Sequence, residues 1–188
     1  METIRIQDRI EEQLLADRKV FLWGQVDDDS ARHVIERLLY LELRDPGKEI
    51  QLVINSPGGY VTSGFAIYDT IGSISSPVST VCSGFAASMA SILLSAGAKG
   101  RRFVLKNSRV MIHQPSGGTQ GNSADIEIQA EELQKTKETS ARLLAENCGQ
   151  PMEKIWKDFN RDHFMNAEES IAYGIADGVL EQLTGRIV

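Results

Sequence analysis

Two runs of β-branched and apolar residues, IQLVIN (50–55) and PVSTVCSG (77–84), each lead through a glycine-containing turn into a helical pattern. A buried strand followed by a turn and a helix is the repeating unit of α/β folds, because the helix carries the chain back so that the next strand can pair in parallel. The rest of the chain continues the pattern. The predicted strands are 20–23, 50–55, 77–84, 101–105 and 109–113, and the predicted helices are 4–16, 30–44, 61–74, 88–96 and 124–148. We therefore predict a single α/β domain with a largely parallel sheet.

Composition and charge limit the classes of partner. The 188 residues carry 20 basic and 26 acidic side chains without a long basic run, so nucleic acid is not an expected partner. The apolar runs are shorter than the roughly 18 residues of a membrane helix, and the N-terminus is charged throughout, which predicts neither a membrane span nor a signal peptide. Cys82 and Cys148 form no metal-ligand pattern. These features predict a cytoplasmic protein with reduced cysteines and no metal or other cofactor.

The stretch GFAASMAS (84–91) surrounds Ser88 with small residues. Small neighbours at the start of a helix let a carbonyl group approach the hydroxyl, and the backbone N–H of Met89 would face the developing negative charge. The stretch lacks the GxSxG pattern of α/β-hydrolases. Tight core packing is the alternative reason for the small residues.

His113 is the best candidate for a base near this serine. It ends the apolar run RVMIH and precedes the turn QPSGG, a position that suits acid–base chemistry. His33 lies in a charged helical segment and His163 follows Asp162, so both are interpreted as incidental. Because the chain has 26 acidic residues, spacing alone selects no carboxylate partner for His113.

The turn SPGG (56–59) also follows a predicted strand, and its two glycines would let backbone N–H groups approach a ligand. It is not a phosphate-binding loop, because Phe65 and Ala66 stand after Gly64 where that motif has Lys and Ser or Thr. A tight structural turn is the alternative. Ser88, His113 and this turn each follow a strand, where ligands of parallel sheets bind, and together they predict a serine hydrolase.

The segment 124–148 is helical by propensity but has only a thin apolar stripe. A helix of this size is about 36 Å long, and with so thin an apolar stripe it cannot be buried in the core on all sides. We predict that it projects from the body and meets a partner chain, with a solvated surface helix as the alternative.

The combination of motifs is more specific than its parts. In order, NSPGG (55–59), GFAASMAS (84–91), GAKGRRFVLKNSRVMIHQPSGG (97–118) and RDHFMNAEESIAYGIADGVL (161–180) closely resemble the proteolytic subunits of the Clp protease family, which are serine peptidases. The resemblance covers about residues 17 to 181.

The resemblance implies roles for individual residues. Ser88 matches the nucleophile, His113 the general base and Asp162 the acid of the triad. Gly59 and Met89 match the donors of the oxyanion hole. The other implied functional residues are Gly58, Gly117 and Gly118 in substrate binding and Arg161 in contact between rings.

The resemblance also implies an architecture. The family fold is a crotonase-like ββα spiral with a head and a projecting handle. The expected divisions are an N-terminal segment 1–19, a head formed by 20–115 and 151–188, and a handle formed by 116–150. Within the handle, SGGTQGN (116–122) matches the strand that receives an extended substrate by β-addition.

For assembly and partners, the resemblance implies two heptameric rings stacked as a tetradecamer that encloses the active sites. An AAA+ unfoldase, a separate ATP-binding chain, would feed unfolded polypeptides and peptides into this barrel. The implied activity is ATP-dependent endopeptidase activity without a bound cofactor.

Several positions depart from the family pattern. Only about 19 residues precede the first predicted strand, and Asn160 stands where the family often has an acidic residue that pairs across rings. The other departures are Ser83 and Phe85 near the nucleophile and Gln129 and Glu131 in the handle. They favour an alternative in which the chain is a weakly active or structural paralogue in a mixed ring. An acyl-CoA enzyme of the crotonase type is a further alternative, disfavoured by the presence of the whole triad.

Overall fold

The computed structural model describes residues 6–183 and confirms the predicted α/β class and parallel sheet. The helices are Ile6–Ala16 (α1), Asp28–Arg44 (α2), Val61–Ser73 (α3), Met89–Ser95 (α4), Ser123–Cys148 (α5), Met152–Phe159 (α6) and Ala167–Tyr173 (α7). The strands are Lys19–Trp23 (β1), Ile50–Ser56 (β2), Val78–Ala87 (β3), Arg102–Val104 (β4), Arg109–Ile112 (β5), His163–Met165 (β6) and Gly178–Val179 (β7). Residues 4 and 5 of the first predicted helix lie outside the described residues. None of the helices described is long and apolar enough to cross a membrane.

The sheet divides at β3. Strands β1, β2, β3, β4 and β7 form a parallel path in that order. The first half of β3 pairs with β4 through Thr80–Cys82, and its second half pairs with β5 through Phe85–Ala87. Strand β6 then pairs antiparallel with β5. The end of β3 is therefore the point where a branch formed by β5 and β6 leaves the main path of the sheet.

A bulge in β3 makes this change of partner possible. Asn55 of β2 stands alone opposite three residues of β3, Ser83 to Phe85, because the register passes from Ile54–Cys82 to Ser56–Ala86. The Asn55 Oδ1 atom accepts a hydrogen bond from the Phe85 N–H at 3.2 Å, and the Ser108 hydroxyl oxygen accepts one from the Gly84 N–H at 3.0 Å. The prediction that this strand ends at Gly84 was wrong, because these side chains hold the strand through the bulge as far as Ala87.

The core lies between the sheet and the helices packed on it. Strand β2 is buried along almost all of its length, as its β-branched sequence predicts, and all seven residues of α4 are buried. Helix α2 contributes an apolar stripe whose members recur at helical spacing: Ala31, Val34, Leu38 and Leu41. Asp27, rather than the predicted Ser30, is the N-cap of α2; Ser30 takes the third helical position of the capping box.

Helix α5 is packed at one end only. Its buried residues all lie in the second half: Ser140, Ala141, Leu144, Ala145 and Cys148. Every residue from 121 to 135 is exposed, including Ile126, Ile128 and Leu133. No part of residues 6–183 covers this first half, which agrees with a projecting helix; the assignment of 116–150 as a handle stays a prediction.

The glycine-rich segment 116–122 does not form the expected strand in the part of the chain that the structure describes. All of its residues are exposed. A strand requires a hydrogen-bonded neighbour, and no described strand of this chain pairs with the segment.

Candidate active site

Ser88 stands at the junction between β3 and α4. Its N–H donates a hydrogen bond to the Met111 carbonyl of β5 at 2.9 Å, which holds the turn against β5. Its backbone has φ 55° and ψ −125°, a conformation that residues other than glycine rarely adopt. Such strain is found where the surrounding structure forces a functional geometry. Here it forms a sharp strand-to-helix turn with the hydroxyl half-buried rather than packed in the core.

His113 follows β5 directly and reaches the Ser88 hydroxyl. Strands β3 and β5 run in parallel with Ala87 beside Met111, so their carboxyl ends lie at the same edge. The His113 Nε2 atom is 2.9 Å from Ser88 Oγ, a hydrogen-bonding distance.

Asp162 lies opposite His113 because of the antiparallel register between β5 and β6. The last pair of that ladder is Ile112 with His163, so the next position of the same register pairs His113 with Asp162. The Asp162 Oδ1 atom is 3.0 Å from His113 Nδ1. The Asp162 side chain is 59% exposed and that of His113 is 29% exposed.

The other two histidines lie away from this cluster. The His163 ring lies beside that of Tyr173, with centroids 5.7 Å apart, because successive side chains of a strand point to opposite faces. His33 is exposed on α2. Neither has a hydrogen bond to Ser88 or Asp162 within residues 6–183.

The loop between β2 and α3 packs against the Ser88 turn. A Cβ atom placed on Gly58 would lie 2.6 Å from the Ala87 carbonyl oxygen and 2.7 Å from Ser88 Cβ, distances that no side chain tolerates. A Cβ atom on Gly59 would lie 2.8 Å from the Val26 nitrogen and closer still to its carbonyl oxygen. The two glycines are therefore required by close packing against the Ser88 turn and against Val26, which agrees with the alternative of a tight structural turn.

Backbone hydrogen bonds fix the orientation of this loop. The Val26 N–H donates to the Gly58 carbonyl at 2.8 Å, and the Tyr60 N–H donates to the Val26 carbonyl at 2.8 Å. The N–H of Gly59, between them, and the N–H of Met89 have no acceptor within the described part of the chain. Two backbone donors, one next to Gly58 in the chain and one next to Ser88, thus keep their hydrogen-bonding capacity unused in the fold.

The loop that carries Asp162 is held by Gln114, a residue that the sequence analysis missed. The Gln114 N–H donates to the Phe159 carbonyl at 2.6 Å, and its side-chain amide donates to the Asn160 carbonyl at 3.0 Å. Its only signal in the sequence is its position directly after His113. Arg161, next to Asp162, is exposed and has no ion pair or hydrogen bond within residues 6–183.

The structure therefore brings together Ser88, His113, Asp162, Gly58, Gly59 and Met89. Gly117 and Gly118 are not part of this cluster: both are exposed, and the nearest side chain to a Cβ atom on Gly117 is that of Leu133, at 3.7 Å. Neither thiol is suited to act as a nucleophile, because burial raises the pKa of Cys82 and of Cys148 to about 12.

The chemistry available to the cluster is acyl transfer. A hydroxyl is hydrogen-bonded to an imidazole and the imidazole to a carboxylate, and the loops that meet here carry unused backbone N–H groups. This is the set of groups that serine hydrolases employ. Within residues 6–183, no three His, Cys, Asp or Glu side chains are grouped so that they could hold a metal ion.

Comparison with known families agrees with this geometry. A family model described as Clp protease matches residues 3–183, which is almost the entire chain of 188 residues. The match includes every residue of the cluster. The chain therefore belongs to the Clp protease family, whose proteolytic subunits are serine peptidases.

Proposed function

We propose that this chain is the proteolytic subunit of an ATP-dependent protease and that Ser88 is its nucleophile, His113 its general base and Asp162 the acid of its triad. The observation that carries the proposal is the pair of hydrogen bonds at the two nitrogens of His113: 2.9 Å to the Ser88 hydroxyl and 3.0 Å to the Asp162 carboxylate. An imidazole held in this way accepts a proton from the hydroxyl while its other N–H stays fixed by the acid.

The reaction follows from these positions. Ser88 Oγ attacks the carbonyl carbon of a peptide bond while His113 Nε2 takes the hydroxyl proton. The tetrahedral intermediate collapses when His113 returns the proton to the departing amine, which leaves an ester on Ser88. Water, activated by His113 in the same manner, then attacks the ester, releases the carboxylic acid product and restores the hydroxyl.

The N–H groups of Gly59 and Met89 are the proposed donors to the oxyanion. Met89 follows Ser88 in the chain, Gly59 follows Gly58, which packs against Ser88, and neither N–H has an acceptor among residues 6–183, so both are free to donate to a substrate oxygen. Because they are part of the rigid backbone, they need no reorganisation as charge develops, and removing one donor of this kind typically costs about 10² to 10³ in kcat.

The substrate is proposed to be an unfolded polypeptide in extended conformation. The exposed segment 116–122 follows the His113 strand and has unpaired backbone groups, which suits pairing with a substrate strand through Gly117 and Gly118. Recognition through main-chain groups would give broad specificity, with Gly58 beside the scissile bond.

Members of the Clp protease family generally assemble into rings with AAA+ partners. For this chain we propose two heptameric rings, an unfoldase as the ATP-binding partner, a contact between rings through Arg161 and a cytoplasmic location. An enclosed chamber would keep a broad protease from attacking folded cell proteins.

A second candidate is a weakly active subunit that works in a mixed ring with a paralogue. It is favoured by Asn160, whose carbonyl and side-chain oxygens lie 3.0 and 3.4 Å from the Gln114 amide of the same chain. Asn160 also lacks the charge with which an acidic residue would pair with a cation across the rings.

A fluorophosphonate probe tests the proposed nucleophile. The purified chain should form a covalent adduct, and peptide mapping by mass spectrometry should locate it at Ser88. Ser88→Ala should abolish labelling, and Ser73→Ala, which removes an exposed serine at the end of α3, should not change it. Labelling at another residue, or retained hydrolysis of a fluorogenic peptide by Ser88→Ala, would refute the assignment.

The same samples distinguish the two candidates. If the chain is active alone, native mass spectrometry should find one assembly that contains only this chain and hydrolyses the peptide. If activity appears only after co-expression with a paralogous subunit, the mixed-ring candidate is correct.

A further inference from the structure

Gly64 is a buried glycine in the first turn of α3 that the proposed chemistry does not use. Glycine in a helix is less favourable than alanine because it loses more backbone entropy on folding. Gly64 does not have a positive φ, and its N–H donates to the Tyr60 carbonyl at 3.0 Å as in an ordinary helix. Backbone conformation therefore does not explain why this position lacks a side chain.

Packing explains it. A Cβ atom on Gly64 would lie 2.7 Å from the Met89 Sδ atom and 2.9 Å from its Cε atom, and closer still to Cγ. The Met89 side chain is 2% exposed and thus occupies the space that a side chain at position 64 would need. The first turn of α3 and the first turn of α4 are in direct contact at this point.

The two helices that meet here begin at the two proposed oxyanion donors. Gly59 lies two residues before α3, and Met89 is the first residue of α4. The Gly59 end is anchored by the hydrogen bonds of Val26, and the Ser88 turn is anchored on β5. Gly58 packs against the Ser88 turn, and the Gly64–Met89 contact is a second contact between the two segments that carry these donors.

We propose that Gly64 is a positioning residue for the oxyanion hole. Because Gly64 has no side chain, the Met89 side chain fits against α3, and this contact sets the distance between the N–H of Gly59 and the N–H of Met89. This inference rests on the proposed function. It concerns a residue that acts through Met89 and does not itself touch the substrate.

The test compares Gly64→Ala with Gly72→Ala. Gly72 lies in the same helix, and a Cβ atom there would meet nothing within 4 Å, so it controls for the general effect of alanine in α3. With a fluorogenic peptide, Gly64→Ala should lower kcat about 10- to 100-fold with little change in KM, because the oxyanion forms only in the transition state. Gly72→Ala should leave both constants unchanged.

The double variant Gly64→Ala/Met89→Ala separates positioning from loss of structure. Met89→Ala keeps the backbone donor and removes the atoms that the new methyl group would strike, so the double variant should regain at least tenfold in kcat over Gly64→Ala. If Gly64→Ala alone does not fold, a folded and active double variant supports the same contact. The proposal is wrong if Gly64→Ala retains wild-type kcat, or if the double variant is no more active than Gly64→Ala when both are folded. Retained activity in Ser88→Ala would instead refute the proposed function.

Discussion

The carboxylate of Asp162, the proposed acid of the triad, is largely exposed, and this allows a quantitative prediction for Asp162→Asn. Its Oδ1 atom is 3.0 Å from His113 Nδ1, but its side chain is 59% exposed. At this distance, the attraction between a carboxylate and an imidazolium is about 1.4 kcal/mol at the permittivity of water and about 5.5 kcal/mol at an effective permittivity of 20. Exposure places the pair toward the lower value.

The tautomer of His113 should survive the substitution. No other hydrogen bond holds the Asp162 carboxylate within residues 6–183, so an amide at this position is free to turn its oxygen toward the His113 Nδ1–H. We therefore expect Asp162→Asn to lose only the attraction between the carboxylate and the imidazolium. This should lower kcat about 10- to 10³-fold, since each 1.36 kcal/mol is a factor of ten. Triads in which the amide imposes the wrong tautomer lose about 10⁴-fold.

Steady-state hydrolysis of a fluorogenic peptide at saturating substrate measures this loss, with Asp69→Asn, an exposed acid of α3, as the control for removing one negative charge. Asp162→Ala should fall within a few-fold of Asp162→Asn, because water can enter so open a site. A loss of 10⁴-fold or more would refute the reasoning from exposure and would mean that the active assembly buries this acid. Unchanged kcat would remove Asp162 from the triad.

Two further predictions concern stability and its dependence on pH. Hydrogen bonds from Ser75 and Ser76 lower the pKa of Glu42 from 4.5 to about 2, so its contribution to stability is present above pH 4.5 and lost as pH falls toward 2. Glu42→Gln should accordingly lower the urea midpoint at pH 7, with a difference from wild type that shrinks toward pH 2; a difference that is constant with pH would refute the linkage. Asp177→Leu leaves the buried Arg102 guanidinium without its carboxylate partner and should cost about 3 to 5 kcal/mol in urea unfolding. Arg102→Met/Asp177→Leu should recover part of this, since the backbone N–H at position 102 still lacks its acceptor; equal stability of the single and double variants would contradict this.

Much of the fold follows from local sequence patterns. The β-branched run of β2 and the helical spacing after each glycine turn predict the parallel sheet. A strand buried on both faces and followed by a helix that carries the chain back is typical of parallel sheets. The last part of β3 could not be predicted from local sequence patterns. Gly84 resembles the end of a strand, and only the side chains of Asn55 and Ser108, which are distant in sequence, carry the strand through the bulge to Ser88.

The site was predictable to different degrees. Ser88 and His113 stand at the ends of apolar runs, so their neighbourhood follows from the topology of a parallel sheet. Asp162 could not be chosen from the residues alone, because its position depends on the register of β6, a strand of three residues without a periodic pattern. The family resemblance supplied that residue, and the Ile112–His163 pair supplies its physical reason. The contact between the Met89 side chain and Gly64 could not be predicted either, because its only sign in the sequence is a glycine inside a predicted helix.

The most direct test of the central claim is a crystal structure of the active assembly with a peptide boronic acid, which forms a tetrahedral adduct with a catalytic serine. We predict a covalent bond from boron to Ser88 Oγ and a boronate oxygen about 2.7 to 3.1 Å from the backbone nitrogens of both Gly59 and Met89, with His113 between Ser88 and Asp162. Boron bonded to any other residue, or a boronate oxygen that contacts neither nitrogen, would contradict the account.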